Sequence, residues 1–333
     1  MVKRGWISLA LTLGALAAVG FGFGATAPTG GAAPAEVTWS AVSPSPEPLS
    51  RSGAAAVYDP ATRTVVLFGG DSPSRGALRT TWSWNGSVWT KLSPPRSPPA
   101  RYGASIAYDA ATGTVLLFGG TGTGRIFGTT WSWNGSTWSE VLPQRGPSPR
   151  LAASMAYDPR TGTVVLFGGK GATGLALGTT WSWNGARWSR EGAAVGPRPR
   201  SGAAMCYDAA TGSLVLFGGL YTKSSPLSTT WSFDGSRWTR VVTHVAPPAR
   251  EQASMVYDAA RVSLVLFGGF GTHAALGTTW TWDGSWSKLL LPSSPPARYG
   301  ASMAYDTATS SAVLFGGVHR ENDVLRTTWL LHG

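Results

Sequence analysis

The chain has 333 residues, with 27 Lys and Arg against 16 Asp and Glu, for a formal net charge of +11. Only 13% of residues are charged, while Gly (44) and Trp (17) are abundant, a composition of turns and large apolar plates that fits repetitive β structure. The single cysteine, Cys206, rules out an intramolecular disulfide and a cysteine-based zinc site. The basic residues are spread along the chain, which argues against nucleic acid as a partner.

In chain order, residues 1–35 read first as a targeting segment. Lys3 and Arg4 precede an uncharged run from Trp6 to Gly24, and Ala33-Pro34-Ala35 resembles a signal-peptide cleavage site. The run is also long enough for an uncleaved anchor. Residues 1–35 are therefore expected to be a signal peptide or signal anchor with a small-residue linker, and residues 36–333 the folded domain. The expected location is secreted or at the cell surface, with no integral membrane domain beyond that possible anchor. No second apolar span follows.

From Glu36 onward the chain repeats. Gly-Gly recurs at Gly69, Gly119, Gly168, Gly218, Gly268 and Gly316, in steps of 50, 49, 50, 50 and 48 residues. Tyr-Asp recurs in the same phase from Tyr58 to Tyr305, and Thr-Thr-Trp ends at Trp82, Trp131, Trp181, Trp231, Trp280 and Trp329. An arginine opens every unit: Arg51, Arg101, Arg150, Arg200, Arg250 and Arg298. A repeat of this period is the mark of a propeller or solenoid.

The second unit shows the pattern in full. Tyr102–Tyr108 is a strand of small residues, and Asp109–Gly113 a turn in which Asp accepts amide hydrogen bonds and Gly supplies positive φ. Thr114–Phe118 is a short apolar strand, as expected where both faces are buried. Thr130–Trp133 and Ser136–Val141 flank Asn134-Gly135, a type I′ hairpin signal. Asn85 and Asn134 also match the glycosylation sequon, but the hairpin explains them better. Four meandering strands make one propeller blade. The sixth unit ends at Trp329–Gly333 without a fourth strand, while Val37–Val42 matches the missing one. The fold class is therefore all-β, a six-bladed β-propeller whose ring is closed by the N-terminal strand completing the last blade. Closure removes exposed sheet edges.

The Gly-Gly pairs, followed by spaced aromatics such as Trp133 and Trp138, resemble the kelch repeat over residues 36–333. The usual pattern has Tyr at the first aromatic and a longer turn, so this is a shortened variant. The resemblance implies a propeller but speaks weakly to function. In kelch propellers of the substrate-adaptor type, an arginine just before a small first strand contacts carboxylates. Carried over, Arg51, Arg101, Arg150, Arg200, Arg250 and Arg298 become candidate anion ligands, since guanidinium forks suit carboxylate, sulfate and phosphate. The alternative is that each arginine bonds a carbonyl or loop of its own blade, as its recurrence in every unit also suggests.

Strand order places the Asp turns and Asn-Gly hairpins on one face. The long, unequal loops after Gly-Gly, such as Asp71–Arg79 and Thr121–Gly128, lie on the other, with the opening arginines. Variable loops on a rigid frame are where binding is usually placed. The expected function is binding of an acidic glycan, wall polymer or protein by a monomer, with no cofactor and no metal.

A kelch-type copper-radical oxidase would need two histidines, two tyrosines and a Cys–Tyr cross-link. Cys206 stands beside Tyr207 at a position that is Ala in Ala107 and Ala156, and His244, His273, His319 and His332 are scattered, so this activity is rejected. Ser132–Trp138 is one residue short of a sialidase Asp box. A sugar mutarotase, drawing on Glu251, Glu321 and His319, stays open as an alternative, as does a structural envelope scaffold.

Overall fold

The computed structural model describes residues 37–333 except 193–194, 223–224 and 322. The expected targeting segment lies outside the described residues. Among them no helix is long and apolar enough to cross a membrane, and the regular structure is all strand.

Six antiparallel blade sheets form a ring, five of four strands and the second of five, where Arg125–Ile126 adds to the extended strand Thr114–Gly122. In the first blade, Ala55–Asp59 pairs with Thr64–Phe68, that strand with Thr81–Trp84, and the third with Trp89–Leu92. Blades two to five repeat this order. In the sixth, Ser302–Asp306, Ser311–Phe315 and Thr328–His332 are joined by Thr38–Val42 as the outer strand, with Trp39 opposite Leu331 and Val42 opposite Thr328. The innermost strand Ala55–Asp59 contacts both Tyr102–Asp109 and Ser302–Asp306, which completes the circle.

The apolar second strands explain the packing. Each is buried on both faces, so alternate residues enter different cores. Val65 and Leu67 pack with Val313 and Phe315 of the sixth blade, whereas Val66 and Phe68 pack with Val115 and Leu117 of the second. Six such interblade cores follow one another around the ring. Each fully buried large apolar side chain contributes about 1.5–3 kcal/mol relative to exposure.

The outer-strand tryptophans bolt the blades together. Trp138 Nε1 donates to Thr81 Oγ1 at 3.0 Å, and Trp188 to Thr130 at 3.0 Å, each on the preceding blade. Trp39 does the same to Thr279 at 3.0 Å, so the N-terminal strand repeats the role of every other outer strand. Each of these indoles also tilts against a phenylalanine of the preceding blade, as Trp39 does against Phe267 at 5.3 Å.

One local expectation is corrected. Trp84 pairs with Trp89, so the Asn85-Gly86 hairpin is a four-residue loop rather than a two-residue type I′ turn. Only Gly86 has positive φ (98°), and Asn85 Oδ1 accepts the amides of Ser87 and Val88 instead. The Asp turns are as expected: Asp109 is buried, and its Oδ1 accepts the amide of Ala111 at 3.1 Å.

Candidate functional site at the loop-rich mouth of the channel

The innermost strands surround an axial channel with two unlike mouths. At the loop-rich mouth the chain turns into each innermost strand at Gly53, Gly103, Ala152, Gly202, Gln252 and Gly300. All six have φ between 51° and 63°. This left-handed conformation points every amide at the preceding blade. Gly103 N donates to Gly53 O, Ala152 N to Gly103 O and Gly202 N to Ala152 O, at 2.8, 2.7 and 2.7 Å. Gln252 N, Gly300 N and Gly53 N continue the sequence until it closes on itself. The channel narrows here to a head-to-tail ring of six backbone hydrogen bonds, one per blade.

The six opening arginines lie just outside this ring, but they are turned inward. All are at most 2% exposed. Arg101 Nε donates to Pro99 O at 3.0 Å, and its Nη1 donates to Gly119 O at 2.8 Å and to Thr129 Oγ1 at 3.2 Å. Its guanidinium also lies over the Phe127 ring at 4.1 Å. Arg51, Arg150, Arg200, Arg250 and Arg298 make the equivalent bonds, for example Arg298 Nη1 to Gly316 O at 2.9 Å.

The arginine backbones meanwhile bond to the blade before. Arg101 N donates to Leu78 O, and Arg101 O accepts the amide of Gly70. A Cβ on Gly69 would overlap that same carbonyl oxygen, so the first glycine of the pair is obligatory there. Each arginine is thus a staple between two blades and presents no exposed guanidinium to a partner. Burial lowers their pKa values from 12.5 to about 10, so they stay charged at neutral pH.

What differs between blades sits around these staples. The residue after each arginine is Ser52, Tyr102, Leu151, Ser201, Glu251 or Tyr299. Each pairs with the residue that follows a Gly-Gly, as Leu151 does with Lys170 and Glu251 with Phe270. Between the loops of the third and fourth blades, Lys170, Leu175, Ser201, Leu220 and Tyr221 line a pocket of about 200 Å³. Arg198, outside that lining, reaches over the Tyr221 ring at 5.9 Å, and both Arg198 and the lining Lys170 are exposed.

The fifth and sixth blades differ in chemistry. Tyr299 packs edge-on against Phe270 at 5.1 Å, and its pKa is raised by burial and by the charges of Glu251 and Glu321. Burial also raises the carboxyl of Glu251, while the Gln252 side chain and the Lys170 charge pull it back. His319 Nδ1 lies 2.6 Å from Ala297 O, and Glu321 is exposed. Of the acid–base candidates, Glu251 and Glu321 therefore share a neighbour in Tyr299, while His319 is held by backbone.

Lys170, Arg198 and Tyr221 were not singled out in the sequence. The available signal was negative: these are positions where the repeat fails to repeat.

At the opposite mouth the lining is almost six-fold uniform, with Tyr58, Tyr108, Tyr157, Tyr207, Tyr257 and Tyr305 beside the Asp turns. Cys206 belongs to this wall, and burial pushes its thiol up to about 12. It is a protonated wall residue rather than a nucleophile. Among the described residues, no group of three or more His, Cys, Asp or Glu could hold a metal ion.

No family model matches the chain, and no curated protein does. Among solved structures, one described as "Structure of YjhT" superposes with a TM-score of 0.68, covering 85% of this chain and 95% of that one at 16% identity. At that identity the likeness establishes the propeller fold alone.

Proposed function

We propose that this chain is an exported kelch-type propeller that binds an acidic glycan or wall polymer through its loop-rich face, with the Lys170–Tyr221 pocket as the point of recognition. The observation that carries this is the pocket itself. Lys170 and Arg198 suit a carboxylate, sulfate or phosphate, and the Tyr221 ring suits the apolar face of a sugar. The six framework arginines contribute by holding the loops. Export rests on Lys3, Arg4, the apolar run and Ala33-Pro34-Ala35. N-terminal sequencing of the protein from its native host is expected to begin between Thr26 and Glu36.

An array of acidic and neutral glycans and wall polymers, run at low and moderate salt, tests the binding. Retention of acidic members that weakens with salt is expected, because exposed charge pairs are screened. A salt-independent preference for neutral sugars would refute it.

One observation favours a second reading, a carbohydrate-active enzyme such as a mutarotase. Glu251 combines a raised carboxyl with a place beside the channel mouth, as a general acid or base requires. Turnover of a reducing sugar, lost in Glu251→Gln, would establish that reading in place of binding alone.

A further inference from the structure

Three cavities follow one another along the channel from the hydrogen-bonded ring to the Asp-turn mouth. Cavities of about 160 Å³ at the ring and 190 Å³ in the middle lead to one of about 380 Å³ at the Asp-turn mouth. The last is within the size range of small-molecule sites. Its wall is apolar. Met155, Met205, Met255 and Met303 line it, with Ile106 and Val57 among the remaining positions. Methionine is flexible and polarizable, and adapts to apolar guests of varied shape. No charged side chain lines the cavity, and the Cys206 thiol in its wall is held protonated.

Six tyrosines stand at the rim, and along the wall the innermost strands turn a backbone edge without a partner strand towards the channel. Burial raises the pKa of Tyr108, Tyr157, Tyr257 and Tyr305, and the neighbouring Asp carboxylates add to it. At these four positions the rim presents a neutral hydroxyl in front of a buried Asp, and the Tyr305 hydroxyl also accepts the Ala260 amide at 3.2 Å. Such a collar can hydrogen-bond an uncharged head group, while the carboxylates behind it repel an anionic one.

We propose that this end of the channel is a second binding site, which takes an uncharged amphiphile: an aliphatic chain seated among the methionines, with an alcohol, ester or amide head at the tyrosine collar. The site stands on the opposite face from the acidic-glycan pocket and does not depend on it. Entry is from the Asp-turn mouth, because the backbone ring constricts the far end.

The composition of the chain supplies a direct probe. Of its five methionines, four line this cavity and the fifth is Met1. The full chain, labelled with 13C at the methionine methyls, is titrated with 1-decanol and, separately, with decanoate. Saturable shifts of the four wall methyls with 1-decanol at one molecule per chain, and at least tenfold weaker binding of decanoate, are expected. Unmoved methyls up to the solubility limit of decanol, or equal binding of decanoate, would overturn the proposal.

Discussion

The two ends of the channel are built from the same six strands but treat six-fold symmetry in opposite ways. At the Asp-turn end, Tyr-Asp is retained in all six blades. At the loop-rich end, the residues after each arginine run from Ser52 to Tyr102, Leu151 and Glu251. Between them lies a frame that repeats without exception, consisting of the arginine staples, the Trp-to-Thr bolts and the backbone ring. Positions that carry stability are duplicated because every blade needs them. Positions free to differ are those where a non-symmetric partner can be recognised.

The largest expected effect comes from opening the frame. A chain beginning at Ser43 lacks the outer strand of the sixth blade and Trp39, which is 1% exposed and bonded to Thr279. Loss of the indole alone is expected to cost about 3–5 kcal/mol, with the unpaired strand edge adding to it. Denaturant unfolding measures this, and an unchanged midpoint would mean that the ring does not depend on its closing strand.

Next comes a staple. Arg101→Ala leaves the carbonyls of Pro99 and Gly119 without their donor, at about 1–3 kcal/mol for each buried group left unpaired. Arg198→Ala, on an exposed loop two blades later, should leave the melting temperature within experimental error. Equal stability of the two variants would return the framework arginines to the list of candidate ligands.

Much of this frame was legible in the sequence, and the reason is repetition. Six copies of each marker, together with Val37–Val42 as the spare fourth strand, sufficed for blade count and closure. The direction of the arginines was not legible. Spacing places them at the mouth, but whether a guanidinium points to solvent or wraps back to a carbonyl 18 residues ahead depends on packing. The backbone ring was hidden for a different reason. Gly53 and Gly103 hint at positive φ, yet Ala152 and Gln252 adopt it as well, against the preference of residues with a Cβ. The Lys170–Tyr221 pocket joins loops of two blades, so no local motif could announce it.

A smaller effect tests a single bolt. Thr130→Val keeps the shape of the side chain but removes the acceptor of Trp188 Nε1, which is buried at 3.0 Å. A loss of about 1–3 kcal/mol is expected from the stranded indole N–H, and a melting curve reads it.

The smallest effect concerns the differentiated mouth and depends on pH. Burial raises the Glu251 carboxyl, so the folded state holds that proton more tightly than the unfolded state. The contribution to stability is full below the unfolded pKa and is lost as pH rises through the folded one. Glu251→Gln is therefore expected to melt higher than wild type at pH 7, with the difference shrinking as the pH falls through the raised folded pKa and levelling off below the unfolded value of about 4.3. A difference that grows on acidification would contradict this assignment.

The division between frame and recognising face is tested most directly by paired substitutions on the two faces. Lys170→Ala with Arg198→Ala removes the cations of the loop-rich pocket, while Arg187→Ala with Arg237→Ala removes equally exposed cations from the hairpins of the opposite face. Both double variants carry the same net charge and should melt like wild type. On an acidic-glycan array at low salt, the account predicts that the first loses binding and the second retains it. Equal loss in both, or loss only in the second, would contradict it.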